Sequence, residues 1–372
     1  MSAQFSFSFS GDDIEDEGQS NLSPNSTSNT NNNNNTAIAH ASTSASAFPV
    51  AGKPLLPATS HDLKHMLAQL PSKVAYNILD IDLDSDETIQ LPRRELWDVR
   101  VQLMAEEEEG GEAEPGLGNH DVKTGVYEGG FKSWESSVDL VRTLASSRSL
   151  FSAGDPAPRI IELGCGTALP SLALFNWALG LKTSENTSPY SIVLADYNPS
   201  VLHLVTLPNF ILSWALHQRA ESPMIEAAFS SEGELDLTPE ILEAFQDFLS
   251  ARKISLRFFS GAWSPEFVEM ITSVNDLAVG LKQATVILGA ETIYSPFALS
   301  AFTETVFSLL QHEKARGNIA EALVGAKKLY FGVGGSLDDF IVQARDRGAT
   351  VEQLREETEG VRRGVVRCSL PG

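Results

Sequence analysis

Residues 159–175 read RIIELGCGTALPSLALF, and the fold turns on how that stretch is interpreted. Its first five residues, with Ile160, Ile161 and Leu163 between Arg159 and Glu162, read as a strand that runs straight into the turn. Gly164 and Gly166 then let the backbone turn sharply and approach a ligand closely, and Pro170 suits the first turn of the helix that follows. Strand, glycine turn and helix in that order place helix-opening amides at the crevice beyond the strand's C-terminal end. A dinucleotide fingerprint would place a third glycine three residues after Gly166, but Leu169 stands there, which argues against close approach to a pyrophosphate. A plain tight connection with no ligand is the alternative reading of such a turn.

The pattern repeats outward from this unit. Strands are expected at 159–163, 191–195, 255–259, 285–289 and 327–332, and helices at 136–145, 170–179, 200–217, 239–252 and 297–310. This alternation marks an α/β sheet of parallel strands. The last 25 residues read as a terminal hairpin turning at Glu359-Gly360. Upstream, 61–71 reads as a short helix ending at Pro71, 74–83 and 95–104 as strands, and 105–119 as an acidic, glycine-rich loop. Of the 28 residues 20–47, 19 are Ser, Thr or Asn, too polar to offset their ordering entropy. Three parts are therefore expected: a disordered tail over 1–58, an extension with an acidic linker over 59–122, and an α/β domain over 123–372.

The formal charge of −22 on 372 residues argues against DNA or an anionic membrane surface as a direct partner. Two cysteines exclude a disulfide scaffold or a Cys-rich zinc site, and no stretch reads as a membrane span. The seven histidines show no ligand spacing, so no metal is expected. Cys165 has no neighbouring histidine and reads as inert.

Asp196 ends the second strand, 34 residues after Glu162, where a carboxylate can bridge two ribose hydroxyls. Equally, Asp-Tyr-Asn-Pro reads as an Asx turn and helix cap, and both roles can coexist. Trp134 and Glu135 stand at the mouth of the 136–145 helix. There they read either as ligand-facing or as a core residue and a dipole partner.

The segments GVYEGGFKSWE (125–135), ELGCGTALP (162–170), ADYNPSVLHLVTLPN (195–209), FFSGAWS (258–264), GAETIY (289–294) and YFGVGG (330–335) occur in this order. In that order they resemble the protein-histidine N-methyltransferase family, within the seven-strand S-adenosylmethionine-dependent methyltransferases. The resemblance covers roughly 61–372. It implies a Rossmann-like seven-strand sheet with a terminal antiparallel hairpin, and a protein acting as a monomer in cytoplasm and nucleus. The cofactor it implies is S-adenosyl-L-methionine. The reaction is methylation of a histidine, at the tele nitrogen, in a large-subunit ribosomal protein, universal large-subunit protein three.

Carried over residue by residue, the resemblance implies cofactor contacts from Ser133, Trp134, Glu135, Ser136 and Ser137 on the methionine side. Glu162, Gly164 and Gly166 would form the loop, with Asp196, Tyr197 and Asn198 at ribose and adenine. Gly261, Ala262 and Trp263 would border the adenine, and Ala290 would lie near the sulfonium. The chain departs from the family pattern at 133, 136–137 and 290, where backbone rather than side chain would carry the contact. Glu291 and Tyr294 are the candidate catalytic residues, Glu291 as acceptor of the target imidazole's N–H. A lysine methyltransferase of the same group and a non-catalytic module binding a ribosomal protein are the alternative readings.

Overall fold

The computed structural model describes residues 55–108, 130–146, 156–181, 188–273, 282–330 and 335–372. All of its elements belong to the unit Ser44–Gly372. The strands are β1 (Thr59–His61), β2 (Lys73–Asp82), β3 (Thr88–Arg94), β4 (Ala157–Leu163), β5 (Tyr190–Asp196), β6 (Glu234–Asp236), β7 (Ile254–Ser260), β8 (Gln283–Ala290), β9 (Ile319–Lys327), β10 (Thr350–Glu357) and β11 (Arg363–Ser369). The helices are α1 (Leu63–Ala68), α2 (Leu96–Glu108), α3 (Glu135–Ser146), α4 (Leu169–Leu179), α5 (Pro199–Val201), α6 (Leu207–Gln218), α7 (Pro223–Ala228), α8 (Pro239–Ala251), α9 (Pro265–Ser273), α10 (Pro296–Ala315) and α11 (Leu337–Asp346).

The main sheet runs β1-β7-β5-β4-β8-β9-β11-β10, with β7 through β9 parallel. From β4 the chain moves outward through β5 and β7, then returns to add β8 and β9 on β4's other side. The order therefore reverses between β4 and β8, and the crevice for a ligand opens at their C-terminal ends. The terminal hairpin inserts β11 antiparallel to β9, which gives the expected seven-strand methyltransferase sheet. An eighth strand, β1, pairs antiparallel with β7 at the opposite edge. Strands β3, β2 and β6 form a separate small sheet.

Side-chain alternation along the central strands divides the core in two. Ile160, Ile192, Leu194 and Leu288 face one layer, with side chains of α3, α4, α6 and α8. Ile161, Leu163, Val193 and Ile287 face the other, with α9, α10 and α11. A central helix between such layers must be apolar almost all round, and α4 (LPSLALFNWAL) is buried along most of its length. The same holds for the run Pro199–Gln218, which is apolar and long enough to cross a membrane yet lies mostly inside the fold. That length corrects the reading that no stretch of the sequence is long and apolar enough.

Three expectations need further correction. The segment 95–104 is a helix, not a strand: Leu96, Val99 and Leu103 repeat at helical spacing toward the interior, while the strand before it is β3. Accordingly the acidic stretch read as a loop from 105 begins inside α2. The fifth parallel strand is Ile319–Lys327 rather than 327–332, because burial falls on Ala322–Ala326 and Lys327 ends the strand. The acidic segment 221–247 supplies α7, most of α8, and β6, which pairs with β2. Residues 1–54 of the tail, 109–119 of the acidic linker, 125–129 of GVYEGG and 331–334 of YFGVGG lie outside the described residues.

Candidate active site

The loop after β4 turns on backbone conformations that only glycine adopts without strain. Gly164 has φ +65° and Gly166 φ +52°. A Cβ on Gly164 would stand 2.6 Å from Thr292 Cγ2, and one on Gly166 would stand 2.9 Å from the Gly130 carbonyl oxygen. Ala168 also takes φ +56° and opens α4, with proline following in its first turn.

Two carboxylates set this loop, Glu162 buried and Asp196 half-buried. Glu162 Oε2 accepts from the Ser171 amide at 2.9 Å, bracing the first turn of α4. Asp196 Oδ2 accepts from the Gly166 amide at 2.9 Å and Oδ1 from the Asn198 amide at 3.1 Å. Burial pushes Asp196 up to about 6 against the pull of these amides. Burial pushes Glu162 up to about 7, with the nearby Asp196 charge adding to the rise. Asn198 Oδ1 accepts from the Ser200 amide and caps α5, so cap and candidate ribose ligand are separate neighbours. Cys165 is buried between these groups, and burial raises its thiol well above the ordinary value.

Beside Asp196, Gly261 takes φ +105°, and its amide donates to the carbonyls of Asp196 and Tyr197. A Cβ there would lie 2.2 Å from the Pro57 carbonyl oxygen. The Ala262 amide donates to Leu56, and the Leu56 amide donates to the Tyr197 hydroxyl. The residues preceding β1 therefore line the β5–β7 corner. Trp263 is buried under the loop, its ring 5.6 Å from that of Phe302, with no hydrogen-bond partner for its Nε1.

On the other side of the crevice the joints are between side chains. Ser133 Oγ lies 2.9 Å from Thr167 Oγ1. Glu291, at φ +56° beyond β8, accepts from the Ser136 hydroxyl and from the Tyr330 hydroxyl. Burial raises its carboxyl, while Lys327 and the two hydroxyls oppose that shift. The Lys327 ammonium lies 5.9 Å from the centre of the Trp134 ring and 5.6 Å from that of Tyr330. Ser137 donates to the Trp134 carbonyl, closing the first turn of α3.

The structure thus gathers Ser133, Ser136, Ser137, Glu162, Gly164, Gly166, Asp196, Tyr197, Asn198, Gly261, Ala262, Trp263, Ala290 and Glu291 around the ends of β4, β5, β7 and β8. Glu135 instead reaches Arg363 on β11. Tyr294 is half-buried just before Ser295, the cap of α10.

Sequence reasoning passed over Tyr330 and Lys327, and two polar residues of the TLPN segment. Thr206 donates to the Gly166 carbonyl at 2.6 Å from the end of a π-helical turn, Leu202–Thr206. Asn209 donates to the Thr167 carbonyl and accepts from the Arg94 amide. Polar side chains inside an otherwise apolar helix were the available signal. Pro208 has no N–H for the carbonyl four residues back, that of Leu204, and Arg94 Nη1 donates there at 2.9 Å.

No family model matches the chain. It is 36% identical over 272 residues to Histidine protein methyltransferase 1 of Saccharomyces cerevisiae, covering 69% of each chain. It is 32% identical over 320 residues to the protein of that name from Schizosaccharomyces pombe, covering 84% of this chain and 85% of the relative. A Bos taurus homolog is 28% identical over 251 residues, covering 67% of this chain and 57% of its own. Among solved structures, the N-terminal domain of human METTL16 in complex with SAH aligns over 84% of this chain and 95% of its own, at 10% identity and a TM-score of 0.36.

Proposed function

Because the chain belongs to the histidine protein methyltransferase family, we propose that it methylates the tele nitrogen of a histidine in a large-subunit ribosomal protein. Family membership supports the choice of histidine; the methyl donor is S-adenosyl-L-methionine. The observation that supports the donor site is a cradle that any Cβ would fill, at Gly164 and Gly166, beside the half-buried Asp196 carboxylate. Asp196 would take the ribose hydroxyls, the Gly164–Gly166 backbone the amino-acid end, and Gly261–Trp263 one edge of the adenine.

When bound, the cofactor supplies an electrophilic methyl group on a sulfonium. The target imidazole attacks with a nitrogen lone pair, so the other ring nitrogen must carry the proton. Glu291 is the chain's group for accepting that N–H. Ser136 and Tyr330 each occupy one lone pair on its two oxygens, leaving acceptor capacity on both. A carboxylate held in that way selects the nucleophilic tautomer and stabilises the imidazolium formed as the N–C bond closes. Orientation supplies the rest of the acceleration, with effective molarities of ~10⁵ M or more.

The test is incubation with labelled S-adenosyl-L-methionine and a lysate lacking the enzyme, followed by hydrolysis of the labelled band. Tele-methylhistidine in a large-subunit ribosomal protein is the expected result. Methyllysine, or label in no protein, would refute the reading.

A further inference from the structure

Strand β1 is only three residues long, and its direction bears on the candidate site. It pairs antiparallel with β7, Thr59 opposite Ser260 and His61 opposite Phe258. The parallel strands open their C-terminal ends on the crevice, so β1 begins there and the residues before it cross the rim. The strand is fastened at its sides. His61 Nε2 lies 2.7 Å from Ser260 Oγ, and Ala58 packs against the core layer of Ile161 and Phe259. Thr59 Oγ1 donates to the Pro57 carbonyl at 3.2 Å, a local bond that helps shape the chain just ahead of β1.

Residues 55–58 then meet the crevice through main-chain groups. The Ala262 amide donates to the Leu56 carbonyl at 3.0 Å, and the Leu56 amide donates to the Tyr197 hydroxyl at 3.3 Å. The Pro57 carbonyl oxygen is pressed so close that a Cβ at position 261 would stand 2.2 Å from it. Glycine is thus required at 261 twice, by its φ of +105° and by this approach. Sheet pairing asks for none of these contacts, since the β1–β7 ladder stops at Thr59 and Ser260. A segment that only blunted an open sheet edge would need that ladder and nothing at Tyr197.

We infer that residues 55–58 are a strap forming the outer wall of the adenine subsite. The sheet order carries the argument. Strands β4, β5, β7 and β1 stand side by side, so the glycine loop, Asp196, the Gly261–Trp263 turn and the strap follow one another along the crevice. A ligand laid from the glycine loop across Asp196 meets the strap with the end opposite its amino acid, which in S-adenosyl-L-methionine is the adenine. Adenine is a flat ring with apolar faces and hydrogen-bonding edges. The strap offers peptide groups, with apolar surface on Leu55 and Leu56, 37% and 41% exposed. Its bond to the Tyr197 hydroxyl also sets where that ring stands. The inference rests on the donor-site reading proposed above.

The test uses the full chain, with S-adenosylhomocysteine titrated by calorimetry and a thermal melt of the apo protein alongside. Leu56→Pro removes the amide donated to Tyr197 and should weaken binding about tenfold. Tyr197→Phe removes the acceptor of the same bond, so the double variant should lose little more than the weaker-binding single variant. In the wild type, hydrogen exchange over 55–61 should slow about tenfold when S-adenosylhomocysteine binds, with exchange in α11 unchanged. A lowered melting temperature in Leu56→Pro with affinity within twofold of wild type would make the strap an edge cap and overturn the inference. Exchange over 55–61 that S-adenosylhomocysteine leaves unchanged would overturn it as well. Asp196→Ala separates the strap from the donor-site reading. If that variant binds as tightly as wild type, the ribose assignment fails; a tenfold loss in Leu56→Pro still supports the strap, and unchanged affinity overturns it. Should Leu56→Pro fail to fold, the exchange measurement decides alone.

Discussion

The two sides of the crevice are built from different material. On the β4–β5 side, carboxylates and carbonyls hold backbone amides: Asp196 with Gly166 and Asn198, Glu162 with Ser171, and Gly261 with the Asp196 carbonyl. On the α3–β8 side, hydroxyls hold a carboxylate, Ser136 and Tyr330 with Glu291, and a hydroxyl pair, Ser133 with Thr167, joins that side to the glycine loop. A site made of backbone has its shape set by glycine conformation and is intolerant of any added atom. A site made of side chains can be altered one group at a time while the main chain keeps its course. The first kind suits a ligand that never changes, and the second suits chemistry tuned to one substrate.

The sharpest way to break this contrast is Gly166→Ala. The residue would carry left-handed strain of about 1–2 kcal/mol, and its Cβ would meet the Gly130 carbonyl oxygen at 2.9 Å. Losing the Asp196 bond as the loop shifts adds a similar amount, so cofactor affinity should fall roughly 10²–10³-fold. Calorimetric titration that finds affinity within fivefold of wild type would show the loop is not a backbone cradle.

On the other side, Glu291→Gln should reduce single-turnover methylation ~10²-fold through lost charge stabilisation. Cofactor affinity should stay within threefold, because Glu291 is joined to Ser136 and Tyr330 rather than to the glycine loop. Transfer within threefold of wild type would reduce Glu291 to a brace between α3 and the end of β9.

Asp196→Ala should have a smaller effect than either. Removing the acceptor should cost 10- to 150-fold in cofactor affinity, on the order of 1.5–3 kcal/mol. Since its oxygens also hold the Gly166 and Asn198 amides, part of that loss comes through the loop. Asp196→Asn retains an acceptor for one amide and separates the parts: recovery of the melting temperature without recovery of affinity assigns the deficit to the ligand.

The smallest effect is on stability. Glu162 is raised from the ordinary 4.5 to about 7, so the folded chain holds this proton more tightly than the unfolded chain. Its contribution is fully present below about pH 4.5 and is lost as pH rises toward 7. The apo protein should melt a few degrees lower at pH 8 than at pH 5, and Glu162→Gln should remove much of that slope. An unchanged slope in the variant would place the effect in other groups.

The legibility of the chain follows the distance over which each feature is determined. Strands β4, β5, β7 and β8 were plain in the sequence because each centres on a short cluster of apolar residues, with Arg159, Glu162 and Arg257 interspersed, and the glycine turn follows one of them directly. By contrast, the β9 segment IAEALVGAK is rich in residues that favour helices, while the LYFGVGG after it has strand-like composition. Sheet pairing with β8 and β11 overrides the helical preference of β9. The α2 segment misleads for a different reason: apolar residues on both faces fit period two about as well as period 3.6. Asp196 could be placed from its position after a strand. Tyr330 could not, since its partner Glu291 lies 39 residues away on another strand's end.

Pro208 carries one further consequence, for how such a chain can be cut and recombined. A proline usually marks a place where a helix can be interrupted or a module joined. Here the Leu204 carbonyl it leaves without the usual donor is met by Arg94, from a segment more than a hundred residues earlier. The acidic stretch near 110–120, which resembles a natural seam, therefore separates two pieces that share a joint. Exchanging the α/β part between relatives without its own β3–α2 piece would carry over the proline but leave its matching arginine behind.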